Sequence, residues 1–260
     1  MNQPRSVWTD ARIYAHSFGR LCAGTVEPVL DELTGEGRLL DVGTGTGTVL
    51  RAALDRGWDA LGVDPEPSML AEAARHVAGA RLQLAGLPTL PFEDDTFDAV
   101  VANFVVNHLE DPRSGVRELA RVLKPGGRLV VTLWPAEVSA MNDLWNRVMA
   151  WADVQPLSGM RLPPHLDFER SPEGAAGLLC AAGLIARRVS RLDWLFTIPP
   201  GDLWSGVRAG IGVVGQTYVR GTAAVRASLD RAFEALAPGL TEGGLLRLES
   251  QAVIALGDRE

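Results

Sequence analysis

Short apolar runs alternate with helical patterns through the middle of the chain. The runs predict five strands, at residues 38–42, 58–63, 81–84, 97–103 and 128–134. The fourth run, FDAVVAN, is almost entirely apolar, as expected for a strand that is covered on both faces. Helical patterns lie between the strands, at residues 48–56, 68–77 and 112–123. This alternation predicts an α/β fold with a doubly wound, mostly parallel sheet.

The flanking segments follow a looser pattern. An apolar stripe predicts one N-terminal helix over residues 6–33. After Trp134 the pattern predicts helices at 141–152 and 171–182, a strand at 184–197, mostly helix over 202–237 and a last strand at 245–256. Ser171 and Pro172 have the residue types of a helix N-cap and first turn. We therefore expect a helical lid over residues 1–34 and a core over residues 35–260. Further lid insertions are expected near 136–167 and 199–240, over the carboxyl edge of the strands, where such sheets bind ligands.

Composition narrows the classes of partner. The 260 residues carry a formal net charge of -7, whereas a general nucleic-acid binder is expected to be basic. No apolar run approaches membrane-spanning length, and the first residues lack the apolar core of a secretory leader. The two cysteines, Cys22 and Cys180, have no metal-ligand spacing. We expect a cytoplasmic protein with no nucleic-acid partner, no membrane partner and no metal, as a monomer or a homodimer.

The stretch LLDVGTGTGTV contains the most informative turn. Its glycines alternate behind the aspartate that ends the first strand; they are Gly43, Gly45 and Gly47. A dinucleotide fingerprint would need a third glycine where Thr48 stands. A pyrophosphate would also meet the carboxylate of Asp41, whereas a cationic ligand would be attracted to it. S-adenosylmethionine (SAM) has a sulfonium and an ammonium but no phosphate. Asp64 ends the second strand, where an acid can accept both ribose hydroxyls.

Four segments in order resemble the successive motifs of class I SAM-dependent methyltransferases, in the branch of the UbiE-like and small-molecule enzymes. The segments are LLDVGTGTGTV, GVDPEPSML, LPFEDDTFDAVVANFVVNHLEDP and RELARVLKPGGRLVVTLW. The resemblance covers about residues 39–134. It implies a Rossmann-like sheet of seven strands, SAM as the cofactor and S-adenosylhomocysteine as its product.

The resemblance also implies which residues hold the cofactor. The glycine turn would contact the methionine part, Asp64 would hold the ribose, and Pro65 or Met69 would pack on the adenine. Family members often have an aspartate four residues before the LPF motif, where this chain has Gly86. We therefore expect the backbone of Gly86 and Leu87 to recognise the adenine amino group.

Methyl transfer requires the two reactants to be positioned, and some acceptors must also lose a proton. Asn103 and His108 lie at the carboxyl edge of the fourth strand, so both are candidate cofactor contacts and His108 is also a candidate base. A hydrogen bond at a helix start is the alternative role for His108. His165, in a loop, and His16, on the N-terminal helix, are further candidate bases. Tyr14, on the same helix, is a candidate contact for the methionine carboxylate of SAM.

Tryptophans concentrate in the second half of the chain. They include Trp134, Trp145, Trp151, Trp194 and Trp204. Core filling explains some of them, and the others favour a pocket for an aromatic or otherwise apolar acceptor. The sequence thus predicts methyl transfer to oxygen or nitrogen of a small metabolite or natural-product intermediate of secondary metabolism. Carbon methylation of a quinone-like acceptor and a SAM-binding protein without methyl transfer stay open as alternatives.

Overall fold

The chain alternates strands and helices through its centre, as its apolar pattern predicts. The computed structural model describes residues 10–157 and 162–260. Within them, the strands are β1 (Arg38–Val42), β2 (Asp59–Asp64), β3 (Arg81–Leu84), β4 (Phe97–Asn103), β5 (Leu123–Leu133), β6 (Ile185–Ile198), β7 (Thr241–Glu242) and β8 (Leu245–Asp258). The α-helices there are α1 (Ala11–His16), α2 (Phe18–Ala23), α3 (Val26–Asp31), α4 (Thr48–Asp55), α5 (Pro67–His76), α6 (Pro112–Val122), α7 (Ala140–Ala152), α8 (Pro172–Ala181), α9 (Pro200–Arg208), α10 (Gly212–Arg220) and α11 (Ala223–Leu236). Two 3₁₀ helices lie at Val106–His108 and Ala237–Leu240.

The strands form one sheet in the order β3-β2-β1-β4-β5-β8-β6, and β7 pairs with β8. Strands β1 to β5 pair in parallel, and β8 runs antiparallel to β5. The predicted doubly wound, mostly parallel sheet is therefore confirmed. Seven strands lie side by side in it, and the two-residue strand β7 pairs with β8 in addition. Residues 124–127 lie between a predicted helix and a predicted strand, but in the structure they belong to β5. The strand begins earlier because Leu123 already pairs with Phe97, and the register shifts after that pair.

Both faces of the central parallel strands β1 and β4 are buried, which explains their apolar composition. Leu39 and Leu40 are adjacent in β1 and point to opposite faces, as strand geometry requires. Leu39 packs in a cluster with residues of α3 and α4, and Leu40 packs in a second cluster with residues of α6 and α8. Both side chains are fully buried, and burial of one leucine contributes about 1.5–3 kcal/mol. The helices are therefore held on the sheet from both sides.

The predicted start of α8 is confirmed. The hydroxyl of Ser171 accepts the backbone N–H of Gly174 at 3.1 Å, and Pro172 is the first helical residue. The start of α6 has the same design, since Asp111 accepts the N–H of Ser114 at 3.0 Å.

The single N-terminal helix predicted over 6–33 is wrong within the described part, where α1, α2 and α3 replace it; residues 6–9 lie outside the described residues. Ser17 donates its hydroxyl to the carbonyl of Ile13 at 2.6 Å, and Thr25 donates to the carbonyl of Cys22 at 2.9 Å. Such local bonds compete with a continuous helix. The helical region predicted over 202–237 is likewise divided into α9, α10 and α11, with Gly210 at φ +89° between the first two.

The chain divides into two compact units. The first unit consists of the described residues of 1–21, 137–161 and 193–250, and the second of residues 22–136, 162–192 and 251–260. The first unit thus contains the start of the chain and most of both predicted insertions. Whether these segments act as lids stays a prediction. The second unit contains β1 to β5, most of β6 and the end of β8.

Aromatic side chains form the centre of the first unit. Trp204 stacks on Phe233 with ring centroids 4.4 Å apart, and Trp145 lies 6.3 Å from each ring. Asp230 accepts the indole N–H of Trp204 at 2.7 Å and the hydroxyl of Tyr218 at 3.1 Å. Core filling therefore explains Trp145 and Trp204.

Among residues 10–157 and 162–260, no helix combines the length and the apolar character needed to cross a bilayer.

Candidate active site

The candidate site lies within the second unit, at the carboxyl ends of β1, β2 and β4. The glycine turn connects β1 to α4, Asp64 ends β2, and Asn103 ends β4. Because parallel strands end at one edge of the sheet, these groups are neighbours although they are far apart in sequence.

The glycine turn requires glycine for its backbone and for its packing. Gly43 has φ +68° and Gly47 has φ +87°, a region that other residues rarely adopt. A Cβ on Gly43 would lie 2.4 Å from a methyl group of Val105, just after β4, and a Cβ on Gly47 would lie 2.9 Å from one of Val77. The bare backbone therefore makes the turn and lets the exit of β4 pack against it.

Asp64 links the end of β2 to the glycine turn. It is 7 % exposed, and its two carboxylate oxygens accept the backbone N–H groups of Gly45 and Glu66, each at 2.9 Å. Burial raises the pKa of this carboxyl above its ordinary value, and the two N–H donors oppose that shift. Each oxygen still has a lone pair that can accept another donor. The carboxylate is therefore fixed in orientation and retains capacity for two hydroxyl groups, as a ribose offers.

Pro65 and Gly86 pack together next to Asp64. A Cβ on Gly86 would lie 3.0 Å from the Cβ of Pro65, and the N–H of Ala85 donates to the carbonyl of Asp64 at 3.3 Å. Leu87 follows in the same short turn, and Met69 is buried on α5. The predicted adenine-binding residues therefore adjoin the predicted ribose ligand.

Asp41, which we predicted to attract a cationic ligand, is buried, with 1 % of its surface exposed. Its contact with the cofactor stays a prediction. Its carboxylate accepts the hydroxyl of Thr44 at 2.7 Å and the backbone N–H of Leu50 in the first turn of α4. The N-cap of that helix is Gly47, which has no side chain to offer. Asp41 therefore caps α4 from the end of β1. Burial, above all, and the nearby charge of Asp64 raise the pKa of Asp41 to about 7.

Asn103 uses its side chain to bind protein groups. Its Oδ1 accepts the hydroxyls of Thr25 at 2.8 Å and Thr132 at 2.6 Å, and its Nδ2 donates to the carbonyl of Cys22 at 3.4 Å. Asn103 thus joins β4 to β5 and to the segment that enters α3. These bonds hold the site together, and the predicted contact of Asn103 with the cofactor stays a prediction.

The next residue, Phe104, was missed by the sequence reasoning. It has φ +57°, a strained conformation that costs on the order of 1–3 kcal/mol for a bulky residue. Its ring stacks on Trp134, with centroids 3.8 Å apart and planes inclined by 12°. No local signal in NFVV predicts this backbone, because its support comes from β5.

His108 lies on the 3₁₀ helix that follows β4, where its backbone N–H donates to the carbonyl of Val105 at 2.9 Å. The residue is exposed at the surface. The protein around it nevertheless removes enough hydration to lower the pKa of the imidazole below its ordinary value. The neutral imidazole, which is the form that accepts a proton, therefore predominates at pH 7.

The other predicted residues lie on other elements. His165 is exposed in a turn of the second unit, in which the backbone N–H groups of Leu166 and Asp167 donate to the carbonyl of Pro163. Tyr14 and His16 lie on α1, in the first unit, where Tyr14 is half-buried and His16 is exposed. The second unit thus contains the glycine turn, Asp64 and the adenine-side residues as neighbours, and His108 on the 3₁₀ helix that follows β4. In the described chain, no group of three or more His, Cys, Asp or Glu side chains is arranged to hold a metal ion.

The donor set fits SAM and not a dinucleotide. Two buried carboxylates adjoin the glycine turn, and a pyrophosphate there would be repelled by any charge on them. An uncharged or cationic ligand would meet no such repulsion.

Comparison with known proteins agrees with this site. A family model described as a methyltransferase domain matches residues 40–131. A demethylmenaquinone methyltransferase of Thermus thermophilus is 33 % identical over 165 residues, which cover 58 % of this chain and 75 % of that protein. One of Clavibacter sepedonicus is 41 % identical over 109 residues, 41 % of this chain and 42 % of its own length.

A solved structure shares the fold of this chain. The crystal structure of the YcgJ protein from Bacillus subtilis superposes with a TM-score of 0.56 at 22 % identity, covering 92 % of this chain and 99 % of that one. At this identity the likeness concerns the fold. Together with the Thermus relative and the matching domain model, it identifies the chain as a member of the class I SAM-dependent methyltransferases, an enzyme whose cofactor is SAM.

Proposed function

We propose that the enzyme methylates an oxygen or nitrogen atom of a small metabolite or natural-product intermediate with an aromatic or otherwise apolar body. The observation that carries this proposal is the position of His108 on the 3₁₀ helix that follows β4, and the lowered pKa of its imidazole agrees with it. Oxygen and nitrogen acceptors carry a proton that must leave, and a neutral imidazole can take it.

The roles of the binding residues belong to the same proposal. Asp64 accepts the ribose hydroxyls, Pro65 and Met69 pack on the adenine, and the backbone of Gly86 and Leu87 meets its amino group. Tyr14 contacts the methionine carboxylate. When bound, SAM supplies a methyl group on a sulfonium that already activates it for in-line displacement. The remaining work of the chain is to hold the acceptor in line, exclude water and remove a proton.

His108 comes first among the three candidate bases because it follows β4 at the sheet edge that carries the glycine turn. His165 and His16 lie on other, exposed segments. His108 is therefore the base we propose.

Carbon methylation of a quinone-like ring is the second candidate. The observation in its favour is the relative from Thermus thermophilus, whose name is demethylmenaquinone methyltransferase. A hydroquinone also loses a proton when it is methylated on carbon, so the same base serves either reaction.

The test is transfer of a labelled methyl group from SAM to a panel that contains a phenol, an arylamine and 1,4-naphthoquinol. Mass spectrometry with fragmentation distinguishes O-, N- and C-methyl products, and Asp64→Ala serves as the inactive control. Label on oxygen or nitrogen supports the proposal, and label on ring carbon alone replaces it by the second candidate. Label in none of the products, with SAM binding intact, contradicts both.

A further inference from the structure

The exit of β4 carries an aromatic residue in a backbone conformation that local sequence preference does not explain. Three non-glycine residues of the described chain have positive φ, and the other two are Asp95 and Asp153. Aspartate enters the left-handed region readily because its short side chain bonds locally, whereas phenylalanine does not. Tertiary contacts must therefore hold Phe104 in place.

Those contacts come from the neighbouring strand. The backbone N–H of Phe104 donates to the hydroxyl of Thr132 at 2.9 Å. That hydroxyl in turn donates to Asn103 at 2.6 Å. Thr132 is fully buried, so β5 fixes the strained backbone through a bond that water does not compete for.

Two hydrogen bonds also hold the backbone of Trp134, whose ring stacks on Phe104. The backbone N–H of Trp134 donates to Oδ1 of Asn107 at 2.9 Å, and Nδ2 of Asn107 donates to the carbonyl of Trp134 at 3.3 Å. Phe104 is 4 % exposed and Trp134 is half-buried. The two stacked rings therefore form one rigid aromatic surface, anchored to β4 and β5, whose accessible part belongs to the indole.

The backbone that carries Phe104 continues into a contact with the glycine turn. Val105, the residue after Phe104, packs so closely on Gly43 that a Cβ there would lie 2.4 Å from its methyl group. Val105 therefore connects Phe104, its neighbour in the chain, to the contact with Gly43.

We propose that the Phe104–Trp134 stack is the surface on which the acceptor lies, and that it selects planar aromatic acceptors over puckered aliphatic ones. This inference rests on the proposed function, since it concerns the acceptor of that reaction. Phe104 is a positioning residue: its left-handed backbone brings its ring under the indole and holds the indole plane at the edge of the sheet. A flat ring can stack on the indole across its whole area, whereas a chair-shaped ring of equal size touches it at few atoms.

The test compares 2-naphthol with 2-decalol, which share a carbon skeleton and a hydroxyl group and differ in planarity. Calorimetry measures the Kd of each probe for the protein saturated with S-adenosylhomocysteine. For the wild type we expect 2-naphthol to bind about tenfold more tightly than 2-decalol, the size of a stacking contact added to equal apolar burial. Equal affinities, or no binding of 2-naphthol, would overturn the proposal.

Variants assign the preference to the stack. Phe104→Leu and Trp134→Leu should each reduce the preference for 2-naphthol to within about threefold, whereas Phe104→Tyr should retain it. Phe92→Leu is the matched control, because Phe92 packs edge-on against Phe97 at 5.1 Å, in another part of the second unit. The control should keep the wild-type preference. Preference kept by both Leu variants at positions 104 and 134 would refute the role of the stack.

The Kd of S-adenosylhomocysteine separates failure of this inference from failure of the proposed function. Variants that keep this Kd within about twofold of wild type are folded at the cofactor site, and only their probe preference is then interpreted. Methyl transfer to aliphatic and aromatic acceptors alike would leave the proposed function standing and overturn the selectivity. A wild type that transfers methyl to neither class would reject the proposed function itself.

Discussion

Neutralising Asp41 should remove a specific pH dependence of stability. This carboxyl is buried at the end of β1 and has a pKa of about 7 in the folded chain, against 3.8 when it is exposed. The folded state therefore holds a proton that the unfolded state has already released between these two values. The free energy of unfolding falls with rising pH across this window, by about 1.4 kcal/mol per pH unit. The stabilising effect is complete below the lower value and is lost as the pH rises through about 7.

The expected change in unfolding free energy depends on the pH range over which the two proteins are compared. From about pH 5 to about pH 7 the wild type should lose about 2 kcal/mol relative to Asp41→Asn, which cannot titrate there, because the carboxyl of the folded wild type is half titrated at pH 7. Above about pH 7.5 the difference between the two proteins should become constant. Asparagine also changes the bonds to Thr44 and Leu50, which adds a constant offset and leaves the slope unchanged.

Urea denaturation at several pH values, followed by far-ultraviolet circular dichroism, measures this difference. Asp98→Asn is the matched control. Asp98 binds Lys124 at 2.8 Å and the N–H of Arg38 at 2.9 Å, and these contacts lower the pKa of its carboxyl. Its contribution is present above its unfolded pKa and is lost only at acid pH, so its difference from wild type should be flat above about pH 5. A difference between wild type and Asp41→Asn that is equally flat would refute the raised pKa and the enclosed position of Asp41.

Three further predictions concern the site. S-adenosylhomocysteine at about 100 times its Kd should raise the melting temperature of the wild type by about 5–10 °C, and Asp64→Ala should remove most of that shift; an unchanged shift would reject the ribose contact. His108→Ala should reduce turnover about 10²–10⁴-fold with SAM affinity intact, and turnover within a few-fold of wild type would exclude it as the base. Gly43→Ala should destabilise the chain by about 2–4 kcal/mol and abolish cofactor binding, because its Cβ would overlap Val105. Gly57→Ala, also at positive φ but with no atom within 4 Å of the new Cβ, should cost about 1 kcal/mol and preserve binding; equal effects would contradict the close-packing argument.

The parts of the fold that were predicted correctly depend on patterns within a few residues. β4 begins and ends where its apolar run does, since a strand buried on both faces needs an uninterrupted apolar run. The start of α8 was found from Ser171 and Pro172, because capping is local chemistry. The N-terminal helix was wrong because Ser17 and Thr25 bond to the preceding turns, and an apolar stripe carries no information about such bonds.

The site residues also differ in how far the local sequence predicts them. Asp64 could be placed from its position at the end of a strand, because parallel strands end at a common edge. The enclosure of Asp41 depends on the packing of α4 above it, and the conformation of Phe104 depends on Thr132, 28 residues further along the chain. Both are tertiary effects, which the spacing of residues along the chain does not indicate.

A crystal structure of the complex with S-adenosylhomocysteine tests the central claim most directly. We predict that the ribose hydroxyls bind the carboxylate of Asp64, that the homocysteine part lies along the glycine turn, and that the sulfur faces the Phe104–Trp134 stack. A ribose bound away from Asp64, or a sulfur that faces open solvent with no aromatic surface near it, would contradict the site as described.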